Sequence, residues 1–241
     1  MDAQALLREG KIDEAIEAAG ARLRDDPGNE RIRTMLFELL CFNGEYDRAE
    51  KHLNVLSEGS KEKALGAMLY RGCLAAERAR LEQFEKGEHT LSAPPPTVAG
   101  TLNGKRYQTL QDADPRLGAR LELFAAGSYL WIPLQHIASI QMEPPKKLRD
   151  TLWAPARITA GPGFEGMELG EVLLPALAPF SFRHPDGHAR LGHVTEWVAE
   201  DGREVPYGQK CFLADGEEIP LLEVRSLTID QPSGRDDAAQ G

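Results

Sequence analysis

Residues 10–56 match themselves at an offset of 34 residues: Gly10, Ile12, Asp13 and Ala15 of "REGKIDEAIE" return as Gly44, Tyr46, Asp47 and Ala49 of "FNGEYDRAEK". That period is the mark of tetratricopeptide helix pairs. A two-helix unit cannot bury its apolar face alone, so neighbours stack into a curved array whose concave side suits another polypeptide. The repeat therefore points toward binding rather than catalysis.

Helical periodicity runs through the first ninety residues. Leu6, Leu7, Ile12, Ala15, Ile16, Ala19 and Leu23 fall on one stripe, and Ile32, Leu36, Leu39 and Leu40 on the next. Gly10 and Gly44 sit at tight turns where a side chain would obstruct close approach, and Ala15 and Ala49 let the helices of a pair nest. Asp25-Asp26-Pro27-Gly28 closes the first unit, because proline cannot continue a helix. A longer fifth helix is predicted from about residue 61 to 86.

Three consecutive prolines in "HTLSAPPPTVAG" (89–100) read as a stiff spacer and place a domain boundary here. The expected division is a helical domain over 1–90, a β-rich α+β domain over 98–230 and a disordered tail over 231–241. The overall class is α+β. Beyond the spacer the pattern becomes short β-type runs. "TLNGKRYQTL" reads as a hairpin on Asn103-Gly104 and "FLADGEEIPLLEV" as another on Asp215-Gly216. Further strand candidates are "SYLWIP", "IASIQM", "ARITA", "EVLLPAL", "VTEWVAE" and "QKCFLA", with one helix expected at 117–126.

The formal net charge is -10, with 14 basic against 18 acidic side chains in residues 1–97 and 14 against 20 in 98–241. Neither half is basic enough to dock on nucleic acid or anionic lipid by neutralising phosphates. Cys41, Cys73 and Cys211 are odd in number and include no C-x-x-C pair, so they read as packed thiols. The first residues lack a basic stretch followed by an apolar one, and no run of about 18 apolar residues occurs. The expected location is the cytoplasm.

Each candidate for chemistry has a plainer explanation. "GPGFEG" (161–166) has G-x-G-x-x-G spacing, but Pro162 removes an amide, Glu165 puts negative charge where phosphate would sit, and no helical stripe follows. It reads as a surface turn. His184, His188 and His193 form the only imidazole cluster and the only candidate metal site, yet Pro185 and Gly187 prevent a shared helical face, so a solvated loop is expected. Glu165, Glu168 and Glu171 read as a wet acidic edge. No G-x-S-x-G elbow appears. No cofactor is implied.

The densest unusual segment is 128–158, where Tyr129, Trp131 and Trp153 lie among Pro133, Pro144, Pro145 and Pro155. The tryptophans either anchor the β-rich core or join the 146–149 edge, with Arg149, in a contact surface. Tyr70 and Arg71 offer an aromatic and a cation on one exposed helical turn. Tyr70, Arg71, Trp131, Arg149 and Trp153 are thus the candidate partner-binding residues.

"GTLNGKRYQTLQDADPRLGARLE", "YLWIPLQHIASIQMEPPKKLRDTLWAPARI", "TEW" at 195–197 and "PLLEVRSL" at 220–227 resemble the ImpE-like (TagJ-like) accessory proteins of bacterial type VI secretion systems. The resemblance implies a non-enzymatic cytoplasmic adaptor. It would grasp the N-terminal helix of the small contractile-sheath subunit and influence how the sheath-recycling AAA+ ATPase engages it, an amphipathic helix lying in a groove. The expected contacts are exposed members of 33–42 and 63–79 on the inner helices. Two other readings remain open: a metal-assisted hydrolase using His184, His188 and His193, and a structural subunit that dimerises through Trp131 and Trp153.

Overall fold

Five antiparallel helices form the first part of the computed structural model, which describes residues 3–87, 95–161, 169–200 and 202–231. They are α1 (Ala3–Arg8), α2 (Ile12–Asp25), α3 (Glu30–Phe42), α4 (Tyr46–Leu56) and α5 (Lys61–Glu85). The repeat maps onto α1–α2 and α3–α4, with Gly10 and Gly44 at the two intervening turns, at φ of 72° and 71°. Asn29 caps α3 by accepting from the Ile32 amide, and Ser60 caps α5 by accepting from the Lys63 amide. Ala15 and Ala49 are fully buried where the helices nest.

Thirteen strands follow among the described residues. An eight-stranded antiparallel sheet has the order β2-β1-β13-β6-β7-β8-β4-β5. Its members are β1 (Gly100–Leu102), β2 (Lys105–Tyr107), β4 (Arg120–Ala125), β5 (Ser128–Pro133), β6 (Ile137–Met142), β7 (Trp153–Ala160), β8 (Gly170–Pro175) and β13 (Ser226–Ile229). A three-stranded sheet joins β3 (Leu110–Asp112), β11 (Cys211–Ala214) and β12 (Glu217–Pro220), and β9 (Thr195–Glu200) pairs with β10 (Arg203–Gly208). A single short helix, α6 (Gly187–Arg190), lies before β9.

Both expected hairpins form. Asn103-Gly104 and Asp215-Gly216 are two-residue turns with positive φ at both positions (49° and 84°; 50° and 86°), the mirror-image geometry that matches strand twist. A third turn of the same type is Ala126-Gly127, at 48° and 80°, joining β4 to β5. It lies where a helix over 117–126 was expected. Leucine and glutamate favour helix, and alanine conceals the turn, but Gly118 and Gly127 bound a stretch too short to make one.

Strand alternation gives the large sheet two faces. Leu121, Leu123, Ile132, Ala154, Ala156 and Leu174 point into a core completed by the three-stranded sheet. Phe124, Trp153 and Leu173 point the other way, into a cluster shared with Leu36, Phe37, Leu40 and Leu74 of the helices. With both faces covered, β4 is buried from Arg120 to Phe124 and shows no in-out pattern. The three thiols are free and buried.

This shared core covers the α3 part of the groove expected on the inner helices. Residues 36–42 of α3, Glu38 included, are all buried, and the apolar ones share a core with Leu152 and Trp153 of the sheet region. The turns of the repeat are covered too. A methyl group on Gly10 would lie 2.8 Å from the His188 ring, and one on Gly44 would lie 2.6 Å from the Phe182 ring. Equivalent glycines of the two repeats each receive a ring from one later segment. Arg190 beside them bonds Asp13 at 2.7 Å and Asn43.

Candidate functional site

The opening that remains is a trough of about 590 Å³ between the first half of α5 and the face formed by β4, β6, β7 and β8. Its size falls in the range of sites that hold a drug-sized group or a few side chains. Tyr70, Trp153, Phe124 and Leu173 supply apolar lining, with Met142 opposite, while Arg149, Arg157, Glu143 and Glu171 add charge. Leu69 also lines it and is 54% exposed. Leu65, one turn back on the same helix, and Met68, the preceding residue, are 67% and 68% exposed. Spacing of i, i+3 and i+4 places the three on one stripe. Large apolar side chains left in water as a contiguous strip beside a cavity mark an interaction surface.

Three of the five candidate residues meet here. Tyr70 stacks on Trp153 at 6.1 Å and 25°, meets Phe37 edge-on at 5.9 Å, and lies 5.0 Å under the Arg149 guanidinium. Trp153 is itself buried and donates from Nε1 to Glu77 at 3.0 Å. It acts as the floor, and Tyr70 and Arg149 present the reachable atoms. Arg71 turns elsewhere, bonding Asn54 at 2.8 Å and Ser57 at 3.2 Å to tie α5 to the end of α4. Trp131 sits far along α5, 5.8 Å from Phe84 and beneath Arg120, with its Nε1 donating to the Tyr129 hydroxyl. Both tryptophans thus join helices to sheet, rather than anchoring the β-rich core alone.

Behind the trough runs a buried polar chain. Glu77 lies 3.5 Å from Arg80, which grips Glu122 through two bonds of 2.7 Å and donates to the Leu177 carbonyl at 2.8 Å. Lys210 bonds Glu122 and reaches Asp112 at 2.7 Å. Burial opposes ionisation of Glu122, but Arg80 and Lys210 outweigh it and hold its pKa at about 2. Burial raises the carboxyl of Glu77, against the pull of Arg80 and the Trp153 hydrogen bond. Every carboxylate in the chain has a cation, so it serves as a bolt between helices and sheet.

Arg149 differs. Glu38 of α3 is its ion-pair partner at 3.4 Å, and burial pushes the Glu38 carboxyl up to about 7 despite that cation. Asp150 does not serve Arg149, since it accepts from the Lys146 and Lys147 amides at 2.9 Å.

The histidine segment is partly solvated, with His193 exposed, and partly packed. Ser181, Ala189 and Leu191 are buried as it packs on the repeat turns. His188 and His193 face each other at 3.1 Å between Nδ1 atoms, whereas His184 tilts on Tyr207. Among the described residues, no group of three or more His, Cys, Asp or Glu is placed to hold a metal ion. Most of "GPGFEG", with Glu165 and Glu168, lies outside the described residues, as do residues 232–241 of the expected tail; Glu171 is exposed and pairs with Arg157 at 3.0 Å.

The expected range 63–79 contains Leu65, Met68 and Leu69 without singling them out, and Phe124 and Leu173 were missed. The first three carried a usable signal: α5 has a second apolar stripe beside the buried one of Ala67, Cys73 and Leu74. No helix among the described residues is long and apolar enough to cross a membrane.

Comparison with known proteins agrees with this architecture. Residues 6–71 match a tetratricopeptide repeat model, and residues 104–228 match the model of the ImpE protein family. The X-ray crystal structure of a protein from Vibrio parahaemolyticus superposes with a TM-score of 0.83 at 22% identity, covering 96% of this chain and 98% of that one, which establishes the shared fold. The type VI secretion system accessory component TagJ of Pseudomonas aeruginosa is 30% identical over 95% of this chain and 92% of its own length. With one relative aligned along nearly its whole length and the family model covering more than half of the residues, this chain belongs to the ImpE family, alongside the type VI secretion accessory component TagJ.

Proposed function

We propose that this chain is a non-enzymatic adaptor of a type VI secretion system, acting in the cytoplasm, that holds the N-terminal amphipathic helix of the small contractile-sheath subunit. Through that grip it influences how the sheath-recycling AAA+ ATPase engages the sheath. The observation that carries the reading is the exposed Leu65, Met68 and Leu69 stripe running into the aromatic trough. An amphipathic helix laid along α5 would cover that stripe and insert one or two apolar side chains between Tyr70 and Leu173. The TagJ relative supports a role in this secretion machinery.

Pull-down of the small sheath subunit with and without its first ~20 residues, a helix of roughly 30 Å, tests the proposal. Capture of the full subunit and loss of the truncated one is the expected result. Equal capture of both excludes the helix as the ligand.

A further inference from the structure

The chemistry of the helix held in the trough follows from one side chain. Arg149 projects from the 3-10 turn at Leu148–Thr151 that precedes β7, and its guanidinium lies over the Tyr70 ring at the trough. It is mostly enclosed, with a side chain 20% exposed. A guanidinium carries five donors in a planar fork built to grip a carboxylate with two parallel bonds. Arg80 uses that fork fully, with two bonds of 2.7 Å to Glu122. In Arg149 the fork is under-used: Glu38 pairs with it through one long contact of 3.4 Å, and among the described residues no acceptor makes an aligned hydrogen bond with its side chain. Asp150 is committed to two backbone amides. A mostly enclosed cation with open donors, stacked on an aromatic at the wall of a cavity, is arranged to receive an anionic group from outside.

From this geometry we infer that Arg149 reads charge on the bound helix: the segment that fills the trough carries a carboxylate beside its apolar face, and Arg149 takes it in a two-pronged ion pair. The inference rests on the adaptor reading and specifies its ligand. Tyr70 fixes the plane of the guanidinium, so little side-chain freedom is lost when the pair forms. Glu38 acts as the placeholder that keeps the cation company while the trough is empty. Its reluctance to ionise, caused by burial, makes it a weak competitor for the incoming carboxylate. A neutral helix of the same shape would leave Arg149 with its poor internal partner and lose the contact that tells one amphipathic helix from another.

The test uses the full chain and a fluorescent peptide comprising the first ~20 residues of the small sheath subunit from the same organism, matching the span of the trough and stripe. A second peptide has its Asp and Glu residues replaced by Asn and Gln. Arg149→Gln is expected to weaken the natural peptide about tenfold, the effect of losing one partly enclosed ion pair, and to leave the neutralised peptide unchanged. Arg149→Lys should restore part of the loss, and Glu38→Gln should bind the natural peptide as tightly as the parent or more so. Thermal melts of each variant confirm folding. Equal weakening of both peptides by Arg149→Gln, no weakening of either, or a natural segment that lacks any carboxylate overturns the charge-reading role while leaving the adaptor reading intact. Failure of both peptides to bind the parent protein removes the adaptor reading and this inference with it.

Discussion

Arg80 of α5 and Glu122 of β4 form a buried two-pronged ion pair, each bond 2.7 Å, across the junction of the helical region and the large sheet. Both side chains are at most 3% exposed. Removing Arg80 leaves Glu122 with Lys210 alone and strips Glu77 of its cation in the interior. Arg80→Met should therefore cost about 3–5 kcal/mol, while Arg80→Met combined with Glu122→Leu should cost clearly less than twice that. Urea unfolding of the two variants checks the difference, and an additive double variant would contradict the pairing.

Glu38 sets a pH dependence of known sign. Its pKa is raised in the folded state, from 4.5 to about 7, so its contribution to stability is complete below pH 4.5 and declines as pH climbs through 7. On this account Glu38→Gln flattens the fall in stability between pH 5 and 8 by on the order of 1–3 kcal/mol. Denaturant midpoints across that window, parent against variant, provide the measurement. Parallel curves would show that Glu38 does not titrate there.

Ala126 occupies left-handed backbone, φ 48°, where a β-carbon is costly. Ala126→Gly relieves that cost and should raise stability by about 1 kcal/mol. The residue is exposed, so no packing is lost. A lower melting temperature in the glycine variant would show that the turn gains something from alanine which the backbone alone does not reveal.

The repeat turns behave in the opposite sense. Gly44→Ala brings a β-carbon within 2.6 Å of the Phe182 ring at φ 71° and should cost 2 kcal/mol or more by order of magnitude, strain and overlap together. Pairing it with Phe182→Ala removes the overlap but leaves the backbone strain, so part of the loss should remain. Chemical denaturation of the single and double variants distinguishes the two terms.

Much of the fold was legible because local chemistry and tertiary structure agree. The 34-residue offset located four helices, the fifth expected over about 61–86 runs Lys61–Glu85, and Asn-Gly and Asp-Gly marked two hairpins. The β4–β5 hairpin was hidden because Ala126 replaces the usual Asn or Asp and because burial of both faces erased alternation in β4. The trough was half legible. Tyr70, Arg149 and Trp153 stood out by residue type, but their meeting depends on β7 and α5 crossing, a contact between positions about eighty residues apart that no local pattern encodes. The α3 part of the inner helical face was covered by Leu152 and Trp153 of the same chain, and only the apolar excess of α3 hinted at it, whereas the α5 part stayed open.

Partner binding is assigned to the α5 stripe and the trough beside it. Isothermal titration of the parent protein and of Met68→Asp with the N-terminal peptide of the small sheath subunit tests it most directly, because Met68 is 68% exposed and its replacement leaves the core intact. Binding at micromolar affinity or better, weakened at least tenfold in the variant, is the predicted outcome; equal affinity for both proteins would contradict it.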